Sequence, residues 1–509
     1  MLDPEIYPHT ADNLELIETH ISFVLLVGDF AYKIKKAVNL GFLDFSSLDA
    51  RRRFCFDELR LNRRLAPALY LAVLPITGSA QHPALGGDGP IVDYAVKMRR
   101  FPQDGLFSAM LQQGLLTSRH IDSLAEKIAE FHEAVAVAVE QDDYGTIEAI
   151  AAPAVENFSQ LRSTPLAVPD QPLLDTLEAW TQDQLRAMRE TFLARKRLGY
   201  VRECHGDLHM GNVALIDGET TLFDCLEFDA KLRWIDVMND VAFVFMDLHD
   251  RLRPDLARRF LNRYLEISGD YEGLCVLRFY VVYRALVRAK IHWLRLNQAN
   301  IKSTDKQRLT VQYQDYVKLA CRQIEFHRPA LIITHGLSGS GKTTHTQSLL
   351  EAMDSVRIRS DVERKHMHGL PALTSSGAGV AEGMYTPDTT ALVYQRLLNL
   401  ATVIIDAGYS AIVDAAFLKR AQRDPFRHAA AISESPYLLI DFPADPSVLR
   451  ERIEKRLAAG ADASEANLDV LQMQIDTEEP LDPEEMQASV AWDSRNPSAL
   501  AEILRRLGS

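Results

Sequence analysis

Cysteine is scarce: five residues in 509 (Cys55, Cys204, Cys225, Cys275 and Cys321), odd in number and without a CxxC pair. That pattern excludes a disulfide framework, offers no zinc-site spacing, and fits a reducing compartment. Long apolar runs are also missing; none approaches the ~18 residues that a membrane-spanning helix requires. The first residues, Met1-Leu2-Asp3-Pro4-Glu5, are acidic and lead into no apolar stretch, so no export signal is expected. Positive charge is in deficit, with 56 Lys plus Arg against 70 Asp plus Glu and a formal net charge of -14. Such a surface repels polyanions at long range, which argues against non-specific nucleic-acid binding but leaves room for a local basic pocket. The expectation is a soluble, cytoplasmic protein that engages no membrane.

What is present is an ordinary globular composition, 47% hydrophobic and 25% charged, over a length that accommodates two or three folding units. Apolar runs flanking Gly28-Asp29 predict a hairpin within Ile21 to Val38, and Val92 to Met98 reads as a strand. Leu48 to Leu65 is helical and basic. Helical periodicity covers Arg119 to Val139 and much of Leu173 to Tyr200 and Val237 to Leu319. Beyond Arg328 the style changes, and short apolar strands alternate with helices: Leu331 to Thr334, Val356 to Ile358, Ala411 to Val413 and Tyr437 to Ile440. That alternation predicts a parallel α/β sheet and a domain cut giving residues 1-327 and 328-509. Pro371 to Gly383 and Ala458 to Ala466 read as loops.

The strand Leu331 to Thr334 runs directly into Gly336-Leu337-Ser338-Gly339-Ser340-Gly341-Lys342-Thr343 and then a helix from Thr344. This is the phosphate-binding loop in its strand-loop-helix setting, where backbone amides curl around a phosphate chain at a helix N-terminus. Gly336, Gly339, Gly341, Lys342, Thr343 and Thr344 form the expected nucleotide-binding set. Lys342 is placed to reach the β/γ phosphates of ATP, and the Thr343 hydroxyl to hold Mg²⁺. After the second strand comes Arg359-Ser360-Asp361-Val362-Glu363-Arg364. Here Asp361 is the candidate base for an acceptor hydroxyl and Arg364 the grip on an anionic part of that acceptor. The plainer reading makes Asp361 a helix N-cap and Arg364 a surface residue. Asp414, at the end of Ile412-Val413, suits a metal-orienting acid, or equally a solvated strand end. Arg450, Arg452 and Arg456 follow Pro446; Arg452 and Arg456 share a helix face suited to closing over a triphosphate. These residues resemble the P-loop kinase branch containing polynucleotide 5′-hydroxyl kinases, gluconate kinases and zeta toxins, over nearly all of the chain from Ala330. The resemblance implies ATP-dependent phosphorylation of a hydroxyl.

A second signature lies upstream in Cys204-His205-Gly206-Asp207-Leu208-His209-Met210-Gly211-Asn212, the spacing of a kinase catalytic loop. In that arrangement Asp207 accepts the substrate proton, Asn212 holds a metal, and Asp224, after the strand Thr221-Leu222-Phe223, supplies the second metal ligand. The segment resembles the aminoglycoside phosphotransferase and choline kinase group, roughly from Glu15 to Arg322. That resemblance implies a small strand-rich lobe, a hinge and a helical lobe. Asp236 and Asp240 match its supporting acids, one capping a helix and one bracing the catalytic loop. Lys33 fits the strand lysine for the α/β phosphates with Glu58 as ionic partner; Lys35 shares its strand parity and is the alternate. Val96 to Arg100 is the candidate hinge. No GxGxxG is present, and Asp-Phe-Gly is replaced by Asp224-Cys225-Leu226. Arg284 and Arg288, one turn apart, suit either an anionic acceptor or internal salt bridges, with the latter preferred. His132 and His249 read as ordinary packing or surface residues.

The fold class expected is therefore a bilobal, α+β, protein-kinase-like domain followed by an α/β P-loop domain with a parallel sheet. The function expected is a bifunctional phosphotransferase using ATP and Mg²⁺ on small-molecule or nucleotide-like hydroxyl acceptors. Two alternatives stand beside it. In one, the P-loop half is a polynucleotide 5′-hydroxyl kinase with the first half as substrate holder. In the other, the first half is a non-catalytic, nucleotide-gated regulatory module.

Overall fold

The computed structural model describes residues 1-39, 43-79, 81-164, 170-297, 301-370, 386-459, 466-493, 496 and 498-508, without side chains over 456-459. The loop read at Pro371 to Gly383 and most of that at Ala458 to Ala466 lie outside the described residues. The chain forms two compact units that are not contiguous in sequence. One comprises Met1–Asp250 and Phe279–Ala320, the other Arg251–Arg278 and Cys321–Ser509. The expected cut at 327/328 made no provision for the Arg251–Arg278 excursion.

The first unit opens with β1 (Glu15–Glu18), β2 (Ser22–Val27), β3 (Phe30–Lys35), β4 (Tyr70–Gly78), β5 (Pro83–Leu85) and β6 (Ile91–Arg99). They form an antiparallel sheet in the order β1-β2-β3-β6-β4-β5. Val27 pairs with Phe30, so Gly28-Asp29 is the two-residue tip of the predicted hairpin, with Gly28 at φ +55°. Alternation along β3 sends Tyr32 and Ile34 into a core with Leu25, Val27, Ile76 and Ala95. Lys33 and Lys35 take the other face, toward the helix Leu48–Asn62 and Glu58. Ser47 caps that helix by accepting from the Ala50 amide.

The rest of the unit is helical, apart from two small strand pairs. β7 (Val201–Glu203) pairs antiparallel with β10 (Trp234–Asp236), and the hairpin β8 (Val213–Ile216) with β9 (Glu219–Leu222) carries the segment after the catalytic-loop motif. The helix expected over Arg119 to Val139 ends early, spanning Ser118–Ala134. Its last five predicted residues, Val135-Ala136-Val137-Ala138-Val139, alternate β-branched side chains, and there Val137 bridges to Arg202 beside β7. Backbone pairing wins over the continuing apolar period.

The second unit is built on β11 (Leu331–His335), β12 (Ser355–Arg359), β13 (Ser410–Asp414), β14 (Tyr437–Asp441) and β15 (Ser489–Ala491). All five are parallel, in the order β12-β13-β11-β14-β15. The first four coincide with the predicted strands; β11, β13 and β14 are short apolar runs, as a sheet covered on both faces requires, while β12 carries Arg357 between Val356 and Ile358. β15 is only three residues long and has no pattern to announce it. Ile332, Ile412, Leu438 and Ile440 pack with Leu349 and Leu350 of the helix Lys342–Ala352. Edge strand β12 is covered by the helix Pro254–Ser268, whose Asn262 Oδ1 accepts from the Arg357 amide at 2.7 Å. Glu266 lies 3.4 Å from the Arg357 guanidinium, and Arg258 reaches Asp354 at 2.8 Å. An unpaired strand edge is thereby satisfied by side chains from far upstream.

Candidate active sites

In the first unit the catalytic-loop motif follows β7. Asn212 Nδ2 donates to the Asp207 carbonyl at 2.9 Å and to its carboxylate at 3.2 Å, so the candidate base and metal ligand are adjacent. The hairpin register Val213↔Leu222 sets Asn212 opposite Phe223, whose amide donates to the Asn212 carbonyl at 3.0 Å; Asp224 comes next. Asp224 adopts φ +63°, the left-handed region, which Asp tolerates better than bulkier residues. That turn delivers its carboxylate to Lys33 Nζ at 2.6 Å, and Glu58 holds the same ammonium at 2.8 Å. The predicted lysine-glutamate-aspartate set is thus brought together from three distant segments.

Lys35 does not stand apart from this set. It pairs with the second oxygen of Glu58 at 2.7 Å and with Glu227. Glu227, Tyr70 and Asn62 were not anticipated: the Tyr70 hydroxyl accepts from the Asp224 amide at 3.2 Å, and Asn62 Oδ1 from Cys225 at 2.8 Å. Burial by itself lowers the Lys33 pKa, but the charges of Asp224 and Glu58 outweigh it and raise it well above the ordinary value. Burial raises that of Glu227, against the pull of Lys35. Two ammonium groups face three carboxylates (Glu58, Asp224 and Glu227), leaving the cluster short of positive charge. With the Asp224 side chain 39% exposed and Asn212 beside Asp207, that deficit fits a divalent cation.

Behind the loop, Asp240 accepts from the amides of His205 (2.7 Å) and Gly206 (3.0 Å), the bracing role anticipated for it. Asp236 accepts from the Met238 amide at 2.9 Å at the helix start and pairs with Arg195 at 2.6 Å. Arg284 donates to Asn239 Oδ1 (2.7 Å) and to the Gly206 carbonyl (3.0 Å), so it serves the scaffold by hydrogen bonds rather than by the salt bridge preferred from sequence. His132 is buried 3.5 Å from Asp240, with Cys204 close by. Both Asp240 oxygens are engaged by backbone amides, so this trio reads as loop support.

Burial raises the Asp240 pKa, but His132, through hydrogen bonding and charge, and the charges of His205 and Arg284 outweigh it. The net result is a fall from 3.8 to about 2. A carboxylate depressed in the folded state adds stability above its unfolded pKa, and that contribution is lost as pH falls through the folded value. Here it amounts to about 2-3 kcal/mol at neutral pH, fading between pH ~4 and ~2. Asp240→Asn should remove that pH-dependent component, and Asp240→Ala, which orphans two buried amides, should cost about 2-4 kcal/mol. Chemical denaturation at pH 7 and pH 3 measures both.

In the second unit, Gly336 has φ +140° and a Cβ there would stand 2.9 Å from the Phe442 carbonyl, while a Cβ on Gly339 would crowd Leu449 and Ile453. The loop closes on itself through Lys342 Nζ, which donates to the Gly336 and Leu337 carbonyls at 2.8 Å each. The Thr343 hydroxyl donates to Asp414 at 2.8 Å, joining the two candidate metal ligands. A cleft of about 840 Å³ opens here, lined by Gly339, Gly341, Lys342, Thr343, Thr344, Asp361, Arg364, Asp414 and Arg452. Gly336 contributes through its carbonyl rather than as a lining residue. Asp361 is not the N-cap of the helix Ser360–Met367; Arg359 is, and Arg364 is buried rather than on the surface. Arg452 donates to the Gly339 carbonyl at 3.3 Å, whereas Arg450 turns to Gln472. The side chain of Arg456 lies outside the described residues.

Sequence reasoning missed further cleft residues: Arg359, Tyr394, Lys419, Gln422 and Gln474. Gln474 accepts from the Ser338 amide of the phosphate loop at 2.8 Å, and the Tyr394 hydroxyl from Phe417 at 3.0 Å. Burial pushes the Tyr394 phenol up to about 12, so it stays protonated. Only Arg359 carried a signal, being part of the hexapeptide that contains Asp361.

A family model described as the phosphotransferase enzyme family matches residues 49-277, and one described as an AAA domain matches residues 331-481. The uncharacterized protein Rv2004c of Mycobacterium tuberculosis is 30% identical over 451 residues, covering 89% of this chain and 88% of that one. Among solved structures, a gluconokinase from Sinorhizobium meliloti 1021 is 26% identical, over 36% of this chain and 92% of its own, with a TM-score of 0.24. The amicoumacin kinase hAmiN, in complex with AMP-PNP, Ca²⁺ and Ami, is 13% identical, over 62% and 89%, with a TM-score of 0.40. No helix among the described residues is long and apolar enough to cross a membrane.

Proposed function

Because the chain belongs to the same family as Rv2004c, with an aminoglycoside-phosphotransferase-type domain followed by a P-loop kinase domain, it is a phosphotransferase; from that premise we propose that each unit transfers the γ-phosphate of ATP to a hydroxyl acceptor. The observation that carries this reading is a repeated assembly: in each unit a lysine, a carboxylate suited to a metal and a candidate base come from separate segments to one site.

In the first unit Lys33, held by Glu58, meets the α/β phosphates, and Asp207 takes the acceptor proton. Asn212 and Asp224 would hold Mg²⁺, which when bound supplies charge neutralisation on the phosphates. In the second unit the amides after Gly336 and the Lys342 ammonium hold the phosphate chain. Thr343 and Asp414 would hold the metal, Asp361 takes the acceptor proton, Arg364 grips the acceptor and Arg452 covers the triphosphate. These roles are chiefly positioning and electrostatic, the terms that dominate phosphoryl transfer. The acceptors are small molecules or nucleotide-like compounds.

The test is to incubate the protein with labelled ATP, Mg²⁺ and a cellular metabolite extract, alongside Asp207→Asn and Asp361→Asn. Two labelled products are expected, each lost in one variant by ~10²- to 10⁴-fold, the range for a positioned acid-base group. Products that persist in both variants would overturn the assignment. Labelling of added 5′-hydroxyl oligonucleotides, lost in Asp361→Asn, would favour polynucleotide end phosphorylation by the second unit.

A further inference from the structure

Arg284 and Arg288 lie one turn apart on the helix Leu274–Leu296, hence on one face, yet the structure uses them differently. Arg284 is committed to Asn239 and the Gly206 carbonyl, which docks this face against the catalytic loop. One turn on, Arg288 forms no salt bridge among the described residues, and its buried Nε has no hydrogen-bond partner. Its guanidinium is hydrogen-bonded to the side chain of Tyr316, lies 5.8 Å from that ring's centroid, and feels the charges of Asp247 and Asp207.

The groups facing it are otherwise neutral or occupied. His209 lies 3.7 Å from the Asp207 carboxylate and is edge-on to Phe243. His292 stacks on Tyr316 at 5.6 Å; burial, then the charges of Arg288, Arg295 and Arg308, push it down to about 4. Asp247 accepts from the Met210 amide at 2.8 Å, and Asp207 is tied to Asn212. Beside the candidate base there is thus a guanidinium whose Nε has no hydrogen-bond partner, packed among aromatic and imidazole rings.

We propose that Arg288 is the acceptor-binding residue of the first unit and that this unit phosphorylates a hydroxylated anion, its carboxylate or phosphate held by the guanidinium. Planar, paired N–H donors suit either anion, while a quaternary or primary ammonium there would face a fixed positive charge. The inference rests on the reading of Asp207 as the base.

The experiment uses the full-length chain carrying Lys342→Ala, so that only the first unit turns over. ADP release is measured with ATP, Mg²⁺ and five acceptors: choline, ethanolamine, glycerol, D-gluconate and D-glucose 6-phosphate. Turnover confined to gluconate or to the sugar phosphate is expected, and which one is used separates the two anion sources. Arg288→Gln should raise KM for that acceptor by about tenfold or more while leaving KM for ATP unchanged, the scale of one lost charge-assisted contact. Arg288→Lys should recover part of the loss. Turnover of choline, ethanolamine or glycerol, or an unchanged KM in Arg288→Gln, overturns the proposal. Calorimetric titration of gluconate and glucose 6-phosphate reads binding apart from chemistry, and the absence of any Arg288-dependent heat also overturns it. An Asp207→Asn protein that still turns over would defeat the catalytic reading, while Arg288-dependent heat would show that the anion site survives it.

Discussion

Lys342→Ala should abolish nucleotide use by the second unit, lowering its kcat/KM on the order of 10²- to 10³-fold, the scale for removing one preorganised donor from a developing oxyanion. The ammonium already sits at the centre of the loop, bound to the Gly336 and Leu337 carbonyls, so a phosphate chain entering the loop finds its counter-charge in place. Lys342→Arg would not substitute, because a planar fork cannot occupy the point position that two loop carbonyls define. The helix that Lys342 begins buries Thr346, Leu349 and Leu350, which the substitution leaves untouched. Melting temperature should therefore change little, and labelling by the first unit should continue. An unchanged second-unit product would remove Lys342 from the site.

Residues 328-509 expressed alone should fail to give a stable domain. The fragment contains all five strands of the parallel sheet but lacks the helix Pro254–Ser268, which covers edge strand β12. Its removal leaves the Arg357 amide without Asn262 and the buried Arg357 guanidinium without Glu266. The loss also uncovers apolar surface of the sheet, and at about 1.5-3 kcal/mol for each large apolar side chain no longer buried it takes a large part of the 5-15 kcal/mol that stabilises a typical domain. The fragment also loses a helix whose Leu256, Phe260, Leu261 and Leu265 are buried. Residues 251-509 should give more soluble protein and a higher melting temperature than 328-509. Equal stability of the two would show that the upstream helix is dispensable.

The parts of the sites that were legible are those whose geometry is set within a few residues. A glycine-rich loop between a strand and a helix fixes where Lys342 and Thr343 point, and the spacing from His205 to Asn212 fixes a loop that folds back on Asp207. Strands β11, β13 and β14 were legible because each holds an uninterrupted apolar run, and β12 because Val356 and Ile358 flank Arg357 in a short β-branched stretch. The residues that were missed act across long separations. Asn62 meets Cys225 163 positions on, and Asn262 meets Arg357 95 positions on. Single polar side chains at such distances disturb no periodicity, so a sequence pattern carries no trace of them. The overextended Ser118 helix failed for a different reason: alternating Val and Ala satisfy a helical stripe and an extended segment equally well, and only pairing near β7 decides.

The interleaving of the two units has a consequence for how the chain is made. Residues 251-278 leave the ribosome before any strand of the parallel sheet exists, and their partners near Asp354 and Arg357 follow about eighty residues later. At typical elongation rates of roughly 5-20 residues per second, that segment waits on the order of 4-16 seconds with its apolar side chains unsatisfied. The nascent chain should therefore be most vulnerable to proteases and most attractive to chaperones in that interval, and a pause placed just after residue 278 should lower the yield of folded protein more than one placed after residue 414.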